Sequence, residues 1–491
     1  MKKPTSKQKR AIAVVLISLA FAFSSVVLAF SSLFVNVDRL VEVFNTRPID
    51  VVILSIIGMF LFILGYTMVS TGKKGYAKFK NFMIVMTVIF FTLVVCLAVD
   101  MYFGPYAYPF AIAGLFIETM VNKRSALYSQ IIMGIFFLLF YGCMGGVNND
   151  ILIPILSGVF SGIVFSTIIA KNTKRMQTIL SVIASIPVYV ITTVALYLLL
   201  KGNSEVVSLY DAALNAAISP VITGFMYLGI LPVFEAIFKV ITTYHLTEIT
   251  DISKGLLFEL SIKAPGTFNH SMSVGNLAAA CALAIGEDAQ LARACGYYHD
   301  IGKMIDPTVF TENQTVGMSN PHDKLTPELS VSLIKRHVMA SIEILKKEGF
   351  SPEIISAAIE HHGTMPITYF YTKAKKFTDG FVDIKDYSYD GPRPTTKINA
   401  IMMIVDASEA AVRSLKDRTK ETIDDKVRSI IEERMDLEQF DDCAITFKDL
   451  KKIRYALVDN LCGVYHERIS YPKLRITKNQ ENKTEEELKN Y

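Results

Sequence analysis

The chain has 491 residues, 51% hydrophobic and 20% charged, with a formal net charge of +4. So small a charge, with its lysines and arginines spread through short loops, excludes the single basic face expected of a protein that binds a nucleic-acid polymer. None of the six cysteines forms a CxxC pair, which excludes a zinc ribbon or a disulfide framework and leaves them as small core residues.

Charge is scarce before about residue 240 and dense afterwards, so the main boundary falls near Lys239–Asp251. Residues 1–10 read as a short N-terminal segment, 11–240 as a membrane domain, 246–472 as a cytoplasmic domain, and 473–491 as a charged, disordered tail. A spanning helix needs roughly 20 mostly apolar residues. Eight stretches qualify: 11–35, 51–70, 82–100, 104–121, 126–144, 151–170, 178–200 and 212–238. Pro220 and Pro232 interrupt the last.

The connecting loops alternate in charge. Lys2, Lys3, Lys7, Lys9 and Arg10 precede the first span. Lys73, Lys74, Lys78 and Lys80 follow the second, Lys123 and Arg124 the fourth, and Lys171, Lys174 and Arg175 the sixth. The intervening loops are neutral, acidic or mixed. By the positive-inside rule this predicts a multi-pass protein with both termini in the cytoplasm. The first apolar run is too long for a signal-peptide core of roughly 7–15 residues, so it reads as a retained anchor. Glu118 and Glu235 lie toward cytoplasmic ends of spans, where a carboxylate reaches water. The longest outward loop, 36–50, is too short to bury a core of its own.

Beyond residue 246 the apolar spacing is helical, and the whole chain reads as all-α. His270, Val274, Leu277 and Cys281 share one helix face; so do Ile334, His337, Ser341 and Ile344, and Met402, Asp406, Ala410 and Arg413. Two long connections, Pro307–Pro327 and Thr372–Thr396, read as functional loops. Five histidines (His270, His299, His337, His361 and His362) accompany Asp300 and Asp406 in apolar surroundings. Buried uncompensated carboxylates cost several kcal/mol, whereas a cation balances their charge. Imidazole and carboxylate without thiolate suit iron, manganese or zinc. Seven donors exceed what one ion with an open position uses, which points to two ions sharing a carboxylate. Such a pair can activate water and polarise a phosphodiester. This half lacks a P-loop, a Gly-rich dinucleotide fingerprint and a GxSxG elbow.

The segments APGTFNHSMSVGNLA (264–278), YYHDIGK (297–303), ENQ (312–314), NPHD (320–323), HV (337–338), IEHHGT (359–364), IVDASEAAVRSL (404–415) and LCGVYHERISYP (461–472) resemble the HD hydrolase domain of the 7TM-HD family. Those are bacterial membrane phosphodiesterases that degrade cyclic di-AMP. The resemblance implies a multi-span transmembrane helical bundle followed by a cytoplasmic, all-helical HD-type metallohydrolase domain in the bacterial cell membrane. It implies one ion on His270, His299, Asp300 and Asp406, and a second on His337, His361 and His362, with Asp300 bridging. The ions would be iron or manganese and the product linear 5'-pApA. Lys303 would steady a phosphate oxygen or donate a proton to the leaving oxygen. Arg393 would contact phosphate, and Asn320 and His322 would brace the 306–327 loop or the substrate. His245 and His466 fit no ligand pattern.

Two departures qualify the resemblance. Family members often carry a large extracellular domain between the first two spans, where this chain has only residues 36–50. The related hydrolases of cyclic di-GMP carry a GYP signature after the paired histidines. Here that stretch reads HHGTMPITYFYTKA, which favours the adenine dinucleotide by exclusion. The alternatives are the same chemistry on cyclic di-GMP or another nucleotide, and a membrane receptor with a regulatory HD domain.

Overall fold

In the computed structural model the described residues are 76–464, apart from 145–146, 170–174, 203–205, 316 and 378–379. The expected spans 11–35 and 51–70, His466 and the charged tail lie outside them. The described residues are helical, with no strand among them and one isolated bridge between Pro366 and Ser388. The chain divides after Ile249 into two compact units.

The first unit holds α1 (Tyr76–Phe103), α2 (Ala111–Met120), α3 (Lys123–Met144), α4 (Asn149–Ile169), α5 (Arg175–Lys201), α6 (Val206–Phe238) and α7 (Thr243–Ile249). Among the described residues, α1, α4, α5 and α6 are long and apolar enough to cross a membrane. Apolar side chains such as Ile183, Ile191, Leu199, Phe225 and Ile237 are exposed on α5 and α6, as suits a surface solvated by lipid. The short α7 packs with this unit through buried Tyr244, and the division after Ile249 falls within the stretch Lys239–Asp251 where the charge step lies.

Residues 104–121 differ from a single spanning helix. They hold a 3-10 turn, Pro105–Ala107, a stretch without helix, and then the ten-residue α2. At 1.5 Å per residue α2 covers about 15 Å, half the hydrocarbon thickness. Gly104, at φ 73, and Pro105 break the chain here, and the non-helical backbone is covered by protein. Ala107, Tyr108 and Phe110 are fully enclosed, and Ser219 Oγ donates to the Tyr108 carbonyl at 2.9 Å. Irregular backbone at membrane depth is tolerated only under such cover. Gly158 admits it: a Cβ there would lie 2.4 Å from the Phe110 ring.

The second unit holds α8 (Gly255–Lys263), α9 (Pro265–Ile285), α10 (Ala289–Tyr298), α11 (Pro327–Lys347), α12 (Pro352–Glu360), α13 (Thr368–Phe377), α14 (Lys397–Arg413), α15 (Lys420–Asp436) and α16 (Phe447–Val464). Their starts follow ordinary capping chemistry. Asp288, Thr326, Thr396 and Thr419 accept backbone N–H bonds at the beginnings of α10, α11, α14 and α15. The centre is α14, whose residues from Ile398 to Val405 are all buried. The expected stripe leaves the core after Asp406: Ala410 and Arg413 are exposed, whereas Ser408, Glu409 and Val412 on the adjacent face stay buried. The other two stripes point inward: His270, Val274, Leu277 and Cys281 are buried, as are His337 and Ser341.

Both long connections contain structure. Three 3-10 turns fold the segment from Pro307 to Lys324. The second loop begins later than expected, since α13 runs on to Phe377. Phe370 and Ala374, one turn apart, anchor α13 against Val331 and Tyr387.

Candidate metal centre

Each donor comes from a helix end or an inward helix face. His270 lies on α9 and His337 on α11, Asp406 on α14; His299 and Asp300 follow α10; His361 and His362 follow α12. Two close approaches bring these elements together. Gly296 in α10 and Gly275 in α9 cross so tightly that a Cβ on Gly296 would lie 2.3 Å from the Gly275 Cα. Gly302 N–H donates to Ser341 Oγ at 2.8 Å, which docks the turn after Asp300 onto α11.

All seven predicted donors converge, in two groups. His270, His299, Asp300 and Asp406 form one, and Asp300, His337, His361 and His362 the other; within each group the ligand atoms lie within 4.8 Å of one another. Asp300 belongs to both through different oxygens. Its Oδ2 is 3.2 Å from His299 Nε2 and 3.9 Å from His270 Nε2. Its Oδ1 is 3.2 Å from His337 Nε2 and 3.7 Å from His361 Nε2. Asp406 Oδ1 is 2.9 Å from His270 Nε2 and 3.6 Å from His299 Nε2.

The imidazoles are oriented from behind. His299, His337 and His361 donate Nδ1–H to the carbonyls of Gly296, Ile334 and Ala358 at 2.8, 2.6 and 3.0 Å. A carbonyl can only accept, so each Nδ1 carries the proton and each Nε2 faces the centre. The Nε2 atoms of these three, with Asp300 Oδ1, are buried without a hydrogen-bond partner. Orphaned buried polar atoms are costly. Here they converge on common points, the arrangement a bound cation satisfies. The cluster is a metal-binding one by its donor chemistry.

Electrostatics agree. Burial opposes charge on His299, yet Asp300 and Asp406 outweigh it and push its pKa up to about 10. Burial and then His299 push His361 down to about 3. Burial disfavours the Asp300 carboxylate, but His299 and Lys303 hold it well below the usual range. Cations and anions packed this closely mark a site rather than a core.

The remaining expected residues separate. Lys303 is nearly buried, with Nζ 2.8 Å from Asp300 Oδ2 and 2.9 Å from Glu312 Oε1. Asn320 Oδ1 accepts from His322 N–H, and His322 donates Nε2–H to the Val309 carbonyl at 3.0 Å, so this pair braces the 306–327 segment. Lys303, Asn320 and His322 all line a cavity of about 390 Å³ that His337 and His362 also reach. Phe310, Phe370 and Tyr389 form its apolar wall. Arg393 stands apart: it donates to the Glu438 carbonyl at 2.6 Å, lies 3.7 Å from the Glu438 and Asp441 carboxylates, and is absent from the cavity lining. A loop arginine beside two free carboxylates pairs with them.

Sequence reasoning passed over four residues. Glu409 lies 2.6 Å from His270 Nδ1. Glu312 holds Lys303, and Tyr389 stacks on His362 with centroids 4.1 Å apart. Glu360 is buried and accepts from Thr395 N–H and Asn399 Nδ2, which fixes the turn bearing His361 and His362. For Glu409 the available signal was an acidic residue within an apolar helical run, three positions after the ligand candidate Asp406.

Residues 49–242 match the family described as 7TM receptor with intracellular HD hydrolase, and residues 267–411 match the HD domain. The cyclic-di-AMP phosphodiesterase PgpH of Listeria monocytogenes is 38% identical over 371 residues, 75% of this chain and 50% of the relative. PgpH of Bacillus subtilis is 34% identical over 435 residues, 86% of this chain and 60% of the relative. The chain thus spans only half to three fifths of the length of these curated relatives. A crystal structure of the L. monocytogenes PgpH HD domain in complex with cyclic-di-AMP is similar at 47% identity, covering 44% of this chain and 99% of that one, with a TM-score of 0.42. The membrane helices fall within the match to the family of 7TM receptors with an intracellular HD hydrolase, and the histidine–aspartate cluster falls within the match to the HD domain.

Proposed function

We propose that the protein is a membrane-anchored phosphodiesterase that hydrolyses cyclic di-AMP to linear 5'-pApA, using two divalent ions, iron or manganese. The observation that carries the two-ion reading is Asp300, whose two oxygens face two separate groups of histidines. The substrate reading is supported by the two curated relatives named for that activity.

His270, His299, Asp300 and Asp406 would hold one ion, and Asp300, His337, His361 and His362 the other. When bound, such ions acidify water and neutralise charge on a phosphate. The side chains supply the rest. Lys303 projects into the cavity with a pKa raised, against burial, by Asp300 and Glu312. An ammonium held so firmly protonated suits the grip of a phosphate oxygen and is a poor proton donor, so of its two expected roles we favour the first. Phe310 and Tyr389 exclude water from the cavity wall and offer faces to a nucleobase. Hydrolysis breaks one phosphorus–O3' bond; water supplies the new phosphate oxygen and the proton of the freed 3'-hydroxyl.

The reading extends to eight spans with both termini cytoplasmic. Its support is the alternation of basic and non-basic loops; residues 104–121 would cross as a 3-10 turn, a short covered non-helical stretch and α2. The test is hydrolysis by the full-length protein in detergent, loaded with iron or manganese. Cyclic di-AMP should turn over faster than cyclic di-GMP or a linear dinucleotide; faster loss of cyclic di-GMP overturns the substrate.

A further inference from the structure

The histidines of the centre are not backed alike. His299, His337 and His361 lean on neutral carbonyls, whereas His270 donates Nδ1–H to the carboxylate of Glu409. The Glu409 side chain is 3% exposed and lies on α14, three residues after Asp406. Its two oxygens have different neighbours, Oε2 at His270 and Oε1 3.7 Å from the Arg413 guanidinium, which restrains the carboxylate from the surface side. Charge is uneven as well. The group containing His270 has two carboxylates, Asp300 and Asp406, while the other has Asp300 alone and includes His362, the most exposed of the histidines at 23%.

We propose that Glu409 is a positioning residue that makes the two cation positions unequal, one tight at His270, His299, Asp300 and Asp406, and one exchangeable at Asp300, His337, His361 and His362. A carboxylate behind a ligating imidazole fixes the ring and raises the basicity of the opposite nitrogen, and losing such a partner typically weakens metal binding 10–100-fold. At the second position neutral carbonyls and one shared carboxylate give less charge to compensate the cation. This inference rests on the two-ion reading.

The experiment titrates metal-stripped full-length protein with Mn²⁺, following free Mn²⁺ by electron paramagnetic resonance. Wild type should take up two ions in steps separated by about tenfold or more. Glu409→Ala should weaken the tighter step by roughly 10–100-fold and leave the weaker one within about twofold. Glu409→Gln, which keeps an acceptor for Nδ1–H and loses the charge, should fall between and covers the case in which the alanine variant does not fold. A wild type that binds fewer than two ions overturns the two-ion reading and this inference with it. Two ions of equal affinity, a tighter step indifferent to both substitutions, or equal weakening of both steps overturns the role of Glu409 alone.

Discussion

A Cβ placed on Gly302 would lie 2.1 Å from the His337 carbonyl oxygen and 2.5 Å from Ser341 N. The turn that presents Asp300 and the helix that presents His337 are thus pressed together at the one residue lacking a side chain. Gly302→Ala must push the two apart, and overpacking of this kind costs typically 1–3 kcal/mol. Because Asp300 Oδ1 reaches His337 and His361 across that contact, the second of the two proposed cation positions should suffer more than the first. The expected outcome is loss of about one metal ion per chain and most of the activity, read by elemental analysis and hydrolysis assay.

Lys303 and Arg393 should behave oppositely on substitution. Lys303→Met removes the lysine held between Asp300 and Glu312 at the cavity, and with it, on the proposed reading, a charge-assisted bond to phosphate of about 1.5–3 kcal/mol. Catalytic efficiency should fall roughly 10–100-fold with metal content retained. Arg393→Ala removes a surface contact to Glu438 and Asp441, and activity should stay within about twofold. Steady-state kinetics on both variants decides the matter, and a large loss for Arg393→Ala would return that residue to the substrate path.

Asp449 joins the start of α16 to the start of α14. Thr446 N–H donates to its Oδ2, Asp449 N–H donates to Thr446 Oγ1, and Lys397 Nζ lies 2.9 Å from the same carboxylate oxygen. The capping box and the ion pair together are worth about 1–2 kcal/mol. Lys397 holds the Asp449 carboxyl below its ordinary 3.8. A depressed carboxylate stabilises the folded state above the unfolded value and ceases to do so as pH falls through the folded one. Asp449→Asn should therefore lower the melting temperature by a few degrees at pH 7, and the gap should close only below about pH 3.8. Thermal unfolding of the two proteins across that range reads both effects.

The sequence carried the helices of the second unit because their apolar period is strong, and it carried the seven donors because imidazole and carboxylate are rare on inward faces. It did not carry the partners of those donors. Glu409 has its contact on a helix 139 positions away, and a lone glutamate in a helix ordinarily faces water. Arg393 was ambiguous for a related reason: a loop arginine's target is set by which carboxylates the fold places beside it. The late end of α13 was obscured by Lys373, Lys375 and Lys376, although Phe370 and Ala374 on the other face anchor the helix. In the first unit, hydropathy registered that residues 104–121 are apolar and could not register that their α-helix begins only at Ala111. Gly104 and Pro105 were the visible signs.

That shortfall bears on how the protein is made. A ten-residue helix preceded by a 3-10 turn and a short non-helical stretch, with the Tyr108 carbonyl capped by Ser219 of α6, is too short to cross a bilayer by itself, so residues 104–121 are not expected to partition laterally from the translocon as an autonomous segment. Their cover arrives only with α4, where Gly158 admits the Phe110 ring, and α6, where Ser219 meets the Tyr108 carbonyl. The packing around Tyr108 should therefore be completed only once α6 has been made, and truncation before residue 219 should leave a nascent chain exposed to membrane quality-control proteolysis.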